Sequence, residues 1–221
     1  GQVMEEEVAQ YLLNEEKLNH VKKSISLAAL AGGMLAEEVT KKAPICADVG
    51  SDNINAANSI VKLLKSDTFK LYSREDILGV ELAGCLKNVT AIGAGIIDGY
   101  GLAVSTKSAY ISEAAAQMRL LAITLGAKAD TFDLGSHAWL GDLLTTCYGD
   151  GRNRLFGSYI GSGMTVDAAH QKLLDARKIS EGYLSTKGFQ QLAQQHSLNL
   201  TILKTINDVL FHQLPPSQAV L

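Results

Sequence analysis

The sequence has little net charge, few cysteines and no recognisable leader, and each absence narrows the class of protein. Its 221 residues carry 20 Lys and Arg against 23 Asp and Glu, a formal net charge of -3, which gives no electrostatic reason to expect nucleic acid as a partner. Cys46, Cys85 and Cys147 are odd in number and lack metal-ligand spacing, so reduced thiols are expected. The chain opens on Glu5–Glu7 instead of a basic, then apolar, segment, and no signal peptide is expected.

Several short motifs of nucleotide-binding and hydrolytic enzymes are also missing. G-x-G triplets occur, but none continues as G-x-x-G after a predicted strand, so the dinucleotide-binding fingerprint is absent from this sequence. The sequence also has no P-loop, no H-E-x-x-H and no G-x-S-x-G. The five histidines are scattered without ligand spacing. No metal site is therefore predicted.

The pattern of apolar residues changes class near Ser73. Apolar residues make up 47% of the sequence, enough for a sizeable core. Before Ser73 the chain alternates between helix-like and strand-like pieces, with predicted helices at Glu5–Leu13 and after Ser51, which could act as an N-cap. The predicted strands are Ile25–Leu30, Ala43–Val49 and Thr68–Tyr72.

From Ser73 onward only helices are predicted. The most apolar stretch, Ile77–Ile97, contains Glu81, Lys87 and Asn88, and charges near a bilayer centre are costly. We interpret it as a helix buried in protein, and expect a soluble, cytoplasmic chain without membrane insertion. The other predicted helices are one that ends at Gly126, Val166–Ala176, Lys187–Gln195 and Leu200–Phe211.

Lys87 is a lone cation in this apolar, glycine-rich segment. A charge is costly to bury unless it is paired, and burial favours the neutral amine, which can accept a proton near neutral pH. Glycine costs up to about 1 kcal/mol in a helix relative to alanine, so the glycines also predict close approach of a second backbone or of a ligand. Lys87 is a candidate base; the alternative is a side chain that reaches solvent from a partly exposed face. Asn88 could orient a substrate hydroxyl or join two helices.

A second candidate segment follows at residues 140–154. Asp142 is an acid in an apolar run, and the Gly149–Gly151 turn leads into Arg152 and Asn153, which are predicted to open a helix. Backbone N–H groups at a helix start and a guanidinium suit a phosphate group. The alternative is a polar surface turn.

Together, the two segments resemble the NAD(P)-dependent glycerol-3-phosphate dehydrogenase family. The resemblance rests on Gly79–Gly101, with its E-L-x-G-x-L-K-N run, and on Leu140–Gly157, with its G-D-L and R-N-R runs, in the family's order and separation. It implies hydride transfer between NAD or NADP and glycerol 3-phosphate or dihydroxyacetone phosphate, in glycerophospholipid precursor synthesis. It also implies a homodimer.

The fold implied by the resemblance is an α/β fragment followed by an all-α substrate domain. Residues 1–73 correspond to the remaining part of a Rossmann-like nucleotide-binding domain. Residues 74–221 correspond to a multi-helix substrate domain of the 6-phosphogluconate dehydrogenase C-terminal-like type. Because the glycine-rich fingerprint and a second active-site lysine of the family are absent from this sequence, we expect the chain alone to lack dehydrogenase activity.

The resemblance also implies roles for individual residues. Lys87 corresponds to the general base for the substrate alcohol, and Arg152 and Asn153 correspond to residues near the substrate phosphate. The positions that correspond to substrate contacts are Lys87, Asn88, Asp142, Gly151, Arg152, Asn153 and Gly32. Those that correspond to contacts with NAD or NADP are Ala36, Arg152, Ile179 and Glu181.

Two other hypotheses stay open at this point. The chain could be a non-catalytic remnant that serves as a dimerisation or ligand-binding module, because Met34 and Glu113 stand where the family has a serine and an arginine. It could also belong to a related two-domain dehydrogenase with another small acid or phosphorylated polyol as substrate. Retention of Lys87, Asp142 and Arg152 argues against the remnant.

Overall fold

Three short strands and nine α-helices form the part of the chain that the structure describes, residues 25–219 of a computed structural model. The predicted helix Glu5–Leu13 lies outside the described residues. The strands are β1 (Ala29–Ala31), β2 (Ile45–Gly50) and β3 (Phe69–Arg74). The helices are α1 (Ala36–Thr40), α2 (Ile54–Leu64), α3 (Ile77–Gly99), α4 (Val104–Thr124), α5 (Asp142–Tyr148), α6 (Arg152–Gly161), α7 (Val166–Asp175), α8 (Glu181–Gln195) and α9 (Thr201–Phe211). Shorter turns are 3₁₀-helical at Ala129–Phe132 and Pro216–Ala219, and π-helical at His137–Gly141.

The strands form one sheet in the order β1-β2-β3. Strands β1 and β2 are antiparallel, with Leu30 opposite Val49. Strands β2 and β3 are parallel, with Ala47 opposite Leu71, and α2 makes the crossover between them. The three predicted strands are present with shifted bounds, and the predicted α/β fragment followed by helices is confirmed.

The bounds of β1 and the N-cap of α2 differ from the prediction because Ser51 makes a long-range contact. The Ser51 hydroxyl donates to the Leu27 carbonyl at 2.6 Å, so it holds the loop before β1 and does not cap a helix. The prediction of Ser51 as the N-cap is therefore wrong. Asn53 caps α2 instead, because its side-chain oxygen accepts from the Asn55 N–H at 3.1 Å. The predicted strand Ile25–Leu30 is reduced to β1 because residues 25–28 belong to that loop.

Helix α3 is the core helix of the helical part. It is long and apolar enough to cross a membrane, but 67% of its most apolar window is buried inside the protein, as predicted for a buried helix. Asp76 caps its start by accepting from the Gly79 N–H at 2.8 Å. The same carboxylate accepts from the Lys128 N–H at 3.0 Å and from the Thr131 hydroxyl at 2.5 Å, which fixes the chain between α4 and α5 to the start of α3.

Glycines let α3 and α6 pack backbone to backbone. A methyl group at any of four glycines would overlap backbone atoms of the facing helix. Because the paired positions rise together along both helices, α3 and α6 run in the same direction. The predicted close approach of a second backbone is thereby confirmed. The pairs are Gly95 with Arg154, Gly99 with Ser158, Gly157 with Ile92, and Gly161 with Ile96.

The remaining helices surround α3 close to their predicted positions. Gly126, with φ of +106°, follows the end of α4 as predicted. Helix α8 begins at Glu181, six residues before the predicted start at Lys187. Its early start has a tertiary cause, because the side chain that caps its first turn is that of Asn153 in α6.

Added side-chain volume at the α3–α6 contact should destabilise the protein. For Gly157→Ala we expect a loss of about 1–3 kcal/mol in the free energy of unfolding, because overpacking of a close contact forces backbone shifts. Urea denaturation measures the loss. Gly188→Ala is the matched control, because nothing lies within 4 Å of a methyl group there, and it should gain up to about 1 kcal/mol from helix propensity. Equal effects of the two substitutions would contradict the packing argument.

Candidate active site

A partly buried ion pair joins α3 to α5. The Lys87 ammonium donates to Oδ2 of Asp142, and the two side chains are 19% and 4% exposed. Lys87 lies in the middle of α3, whereas Asp142 is the first residue of α5. The lone cation of the apolar segment is therefore paired with the acid in the apolar run of the second segment.

The Asp142 carboxylate is held from three directions. Its Oδ1 accepts from the Thr146 hydroxyl at 3.3 Å, and it also accepts from the Gly32 backbone N–H. Burial raises the pKa of Asp142 above its usual value, while the Lys87 charge and these hydrogen bonds act in the opposite direction. Asp142 is therefore a carboxylate whose charge depends on Lys87 and on these two hydrogen bonds.

Two glycines, Gly32 and Gly33, follow β1 and lie close to the Lys87–Asp142 pair. Gly32 is buried, and a Cβ there would lie 2.8 Å from the Cys46 carbonyl oxygen. A Cβ at Gly33 would lie 3.1 Å from the Gly141 carbonyl oxygen. The structure thus places the N–H of the predicted residue Gly32 against Asp142. The contact that excludes a side chain at Gly32 is with β2, and the one at Gly33 is with α5 and the turn before it.

A second group of polar residues surrounds Asn153, which is 4% exposed at the start of α6. Its Oδ1 accepts from the Ser180 hydroxyl at 2.7 Å and from the Gly182 N–H at 2.9 Å, so it caps the first turn of α8. This contact explains why α8 starts earlier than its own sequence predicts. The Asn153 NH₂ group makes a 3.5 Å contact with Oε2 of Glu181, which leaves it suited to donate to an anion.

Arg152 lies at the rim of this group. Its guanidinium pairs with Oε1 of Glu181 at 2.5 Å, and the two side chains are 51% and 44% exposed. Ile179 nearby in sequence is 58% exposed. Gly151 is the N-cap of α6 and offers no side-chain cap, so the first-turn N–H groups of that helix are suited to bind a ligand anion.

Asn88 lies beside both groups. It follows Lys87 on α3, and a Cβ at Gly182 would lie 2.7 Å from the Asn88 carbonyl oxygen. Its side-chain NH₂ donates to the Gly84 carbonyl at 3.3 Å, within α3. Ala36 is exposed at the start of α1, four residues after Gly32.

A cluster of charged residues fixes the turn before α6, and sequence reasoning missed it. Arg154 donates to the Gly149 carbonyl at 2.6 Å and to Asp98 at 2.8 Å. Asp98 also accepts from Lys107, which is 5% exposed, at 2.8 Å. The i, i+4 pair of Asp150 with Arg154 was the only local signal; the contacts with Asp98 are long-range.

Comparisons with known proteins identify the family of this chain. Residues 76–221 match the family described as NAD-dependent glycerol-3-phosphate dehydrogenase C-terminus. The chain belongs to this family. Among curated relatives, a glycerol-3-phosphate dehydrogenase [NAD(P)+] of Thermobifida fusca is 36% identical over 88% of this chain and 57% of its own length. One of Francisella tularensis subsp. tularensis is 33% identical over 95% of this chain and 62% of its own length.

Structural comparison gives the same family. A crystal structure of glycerol-3-phosphate dehydrogenase from Coxiella burnetii superposes with a TM-score of 0.81 at 32% identity, over 92% of this chain and 62% of that one. The chain thus spans about three fifths of the length of the relatives it matches. The family resemblance recognised in the sequence is confirmed.

Asp142 should make stability depend on pH. Because its pKa is raised in the folded protein, the folded state binds more protons than the unfolded state between the usual value of 3.8 and the raised one. The contribution of Asp142 to the free energy of unfolding is therefore fully present below that window and declines as pH rises through it. Lys87→Met removes the cation that opposes the shift, so the decline should extend to higher pH.

Denaturation at a series of pH values measures this contribution. Asp142→Asn is the matched control, since it keeps the side-chain shape and cannot titrate. The difference in unfolding free energy between the wild type and Asp142→Asn should change across the window. A constant difference at all pH values would show that Asp142 does not titrate in this way.

Proposed function

We propose that this chain carries the substrate-binding and proton-transfer part of a glycerol-3-phosphate dehydrogenase. The observation that carries the proposal is the Lys87–Asp142 pair, which lies next to Asn88 on α3. The Asn88 backbone and the Asn153 side chain both approach Gly182 closely. The relatives named glycerol-3-phosphate dehydrogenase [NAD(P)+] support the reaction. Glycerol 3-phosphate and dihydroxyacetone phosphate are the proposed substrates.

Lys87 is the proposed general base. Oxidation of a secondary alcohol by hydride loss requires removal of the hydroxyl proton. In its neutral form the Lys87 amine takes up this proton, and the ammonium so formed donates to Asp142. The ammonium returns the proton in the reverse reaction. Asn88, next in α3, is placed to bind a substrate hydroxyl.

The start of α6 is the proposed phosphate subsite. Three kinds of hydrogen-bond donor for a phosphate lie at this one helix N-terminus. They are the Arg152 guanidinium, the Asn153 NH₂ group and the backbone N–H groups after Gly151. Such donors favour a dianion through charge-assisted hydrogen bonds and the helix dipole. A phosphate there would compete with Glu181 for Arg152 and Asn153.

The cofactor of the family is NAD or NADP, which supplies the hydride acceptor when bound. Arg152, Glu181 and Ile179 fit contacts at the edge of such a molecule, because they are exposed and combine a polar pair with an apolar side chain. Ala36 is exposed as well. The glycine-rich loop that cradles a pyrophosphate is absent from this sequence, so these residues fit only part of the cofactor.

Residues 1–73 are proposed to belong to the nucleotide-binding domain and residues 74–221 to the substrate domain. The sheet of β1, β2 and β3 lies in the first region, and the Lys87–Asp142 pair in the second. A homodimer in the cytoplasm is part of the proposal and follows from the family resemblance.

Glycerol 3-phosphate should bind to this chain at the start of α6. Isothermal titration calorimetry is expected to show binding by the wild type. Arg152→Ala should weaken it roughly tenfold or more, because a hydrogen bond to a charged group contributes about 1.5–3 kcal/mol. Lys187→Ala, which removes an exposed charge on α8, is the matched control and should bind like the wild type.

The outcome also separates the alternatives. No binding by the wild type would favour a non-catalytic remnant. Binding of another small phosphorylated polyol in preference to glycerol 3-phosphate would favour the related dehydrogenase.

The chain alone should not oxidise NADH in the presence of dihydroxyacetone phosphate. The physical reason is that Arg152, Glu181 and Ile179 can contact only the edge of the cofactor. Because the sequence has no glycine-rich loop to bind the pyrophosphate, the cofactor is not held against Lys87. The loss of NADH absorbance follows the reaction. A turnover by the wild type that Lys87→Met abolishes would contradict this expectation while supporting Lys87 as the base.

A further inference from the structure

Asp48 is a buried carboxylate that the proposed mechanism does not use. It lies in β2 and is 0% exposed. Its Oδ2 accepts from the Ala138 N–H at 2.8 Å and from the Ser136 hydroxyl at 3.1 Å. The same oxygen lies 2.9 Å from Nε of Arg74, which supplies the opposite charge. One carboxylate therefore joins the sheet to the segment that precedes α5.

The contacts of Asp48 fall on the π-helical turn His137–Gly141. Ser136 is the N-cap of this turn, because its Oγ accepts from the Trp139 N–H at 3.1 Å. Asp48 in turn accepts from Ser136 and from the Ala138 N–H. Turns of the π type are rare and frequently occur at functional sites. The first part of this turn is thus held by a carboxylate from another element.

Asp142 follows directly at the end of that turn. Its backbone continues from Gly141 into α5, so the position of the turn fixes where its carboxylate meets Lys87. The residue after β1 also contacts Asp142, because the Gly32 N–H donates to its carboxylate. Asp142 therefore accepts from the residue that follows β1, while Asp48 of β2 holds the turn that leads into Asp142.

A buried carboxylate such as Asp48 is an unusual side chain for a strand. The other oxygen of Asp48, Oδ1, is buried and has no hydrogen-bond partner among the described residues. Burial of an ion pair often gains no stability over apolar side chains of similar size. Stability alone is thus a poor explanation for Asp48, whereas directional hydrogen bonds to the turn explain a carboxylate there.

We infer that Asp48 is a positioning residue, which sets the geometry of the Lys87–Asp142 pair by capping the turn that ends at Asp142. Its importance for catalysis rests on the proposed function, because the pair acts on a substrate only in that proposal. The geometric claim itself concerns the coupling between two side chains and can be measured without a substrate.

The test measures how strongly Lys87 influences Asp142. Carboxyl carbon NMR follows the titration of Asp142, and Lys87→Met should move its midpoint upward in the wild-type background. In the Asp48→Leu background this upward shift should be clearly smaller, since the pair is no longer held in place. Asp48→Asn keeps an acceptor for the Ala138 N–H, so it should restore most of the shift.

Two further variants separate positioning from general destabilisation. Ser136→Ala removes one contact and leaves no buried charge unpaired, so it tests the inference even if Asp48→Leu does not fold. Asp76→Asn is the matched control, because it weakens another buried capping carboxylate that does not contact the turn. It should lower stability and leave the Lys87→Met shift as in the wild type.

A shift of the same size in Ser136→Ala and in every Asp48 variant that folds would overturn the inference. A reduced shift in Asp76→Asn equal to that in Ser136→Ala would also overturn it, because destabilisation alone would then suffice. Calorimetry with glycerol 3-phosphate tests the link to function. Ser136→Ala should bind glycerol 3-phosphate more weakly than the wild type. If the wild type itself does not bind, the proposed function fails, while the NMR result still decides the positioning role.

Discussion

The backbone contact between α3 and α6 is the constraint on which the site depends. Since the glycines of both helices meet at the contact, the helices lie closer than ordinary side chains allow. They also run in the same direction, so the start of α6 lies beside the middle of α3. That placement brings Arg152 and Asn153 to the region of Lys87 and Asn88. The glycines therefore do not bind a ligand; they bring together the groups that are proposed to do so.

The second requirement is that opposite charges meet in a largely apolar surrounding. Lys87 and Asp142 come from different helices, and desolvation of both must be offset by their attraction and by hydrogen bonds. The sheet supplies part of this compensation through the Gly32 N–H. The small α/β part is thus a structural support for a pair that lies in the helical part.

Asn153 shows that one side chain can serve the fold and the proposed site together. Its oxygen caps α8, while its NH₂ group is suited to donate to an anion. This division follows from the chemistry of an amide, which has an acceptor and two donors at separate atoms. An aspartate at this position could still cap the helix but would repel a phosphate.

Apolar periodicity and isolated charges are local signals, so the sequence alone predicts the change of class near Ser73, the long buried helix and the candidate charges Lys87 and Asp142. The E-L-x-G-x-L-K-N and R-N-R runs also identify the family. Three features emerge only in the folded chain: Lys87 pairs with Asp142, Asn153 caps α8 so that it starts early, and Asp48 holds the turn before α5. Each of these is a contact between residues far apart in the chain, and neither periodicity nor capping preference reports which distant atoms meet.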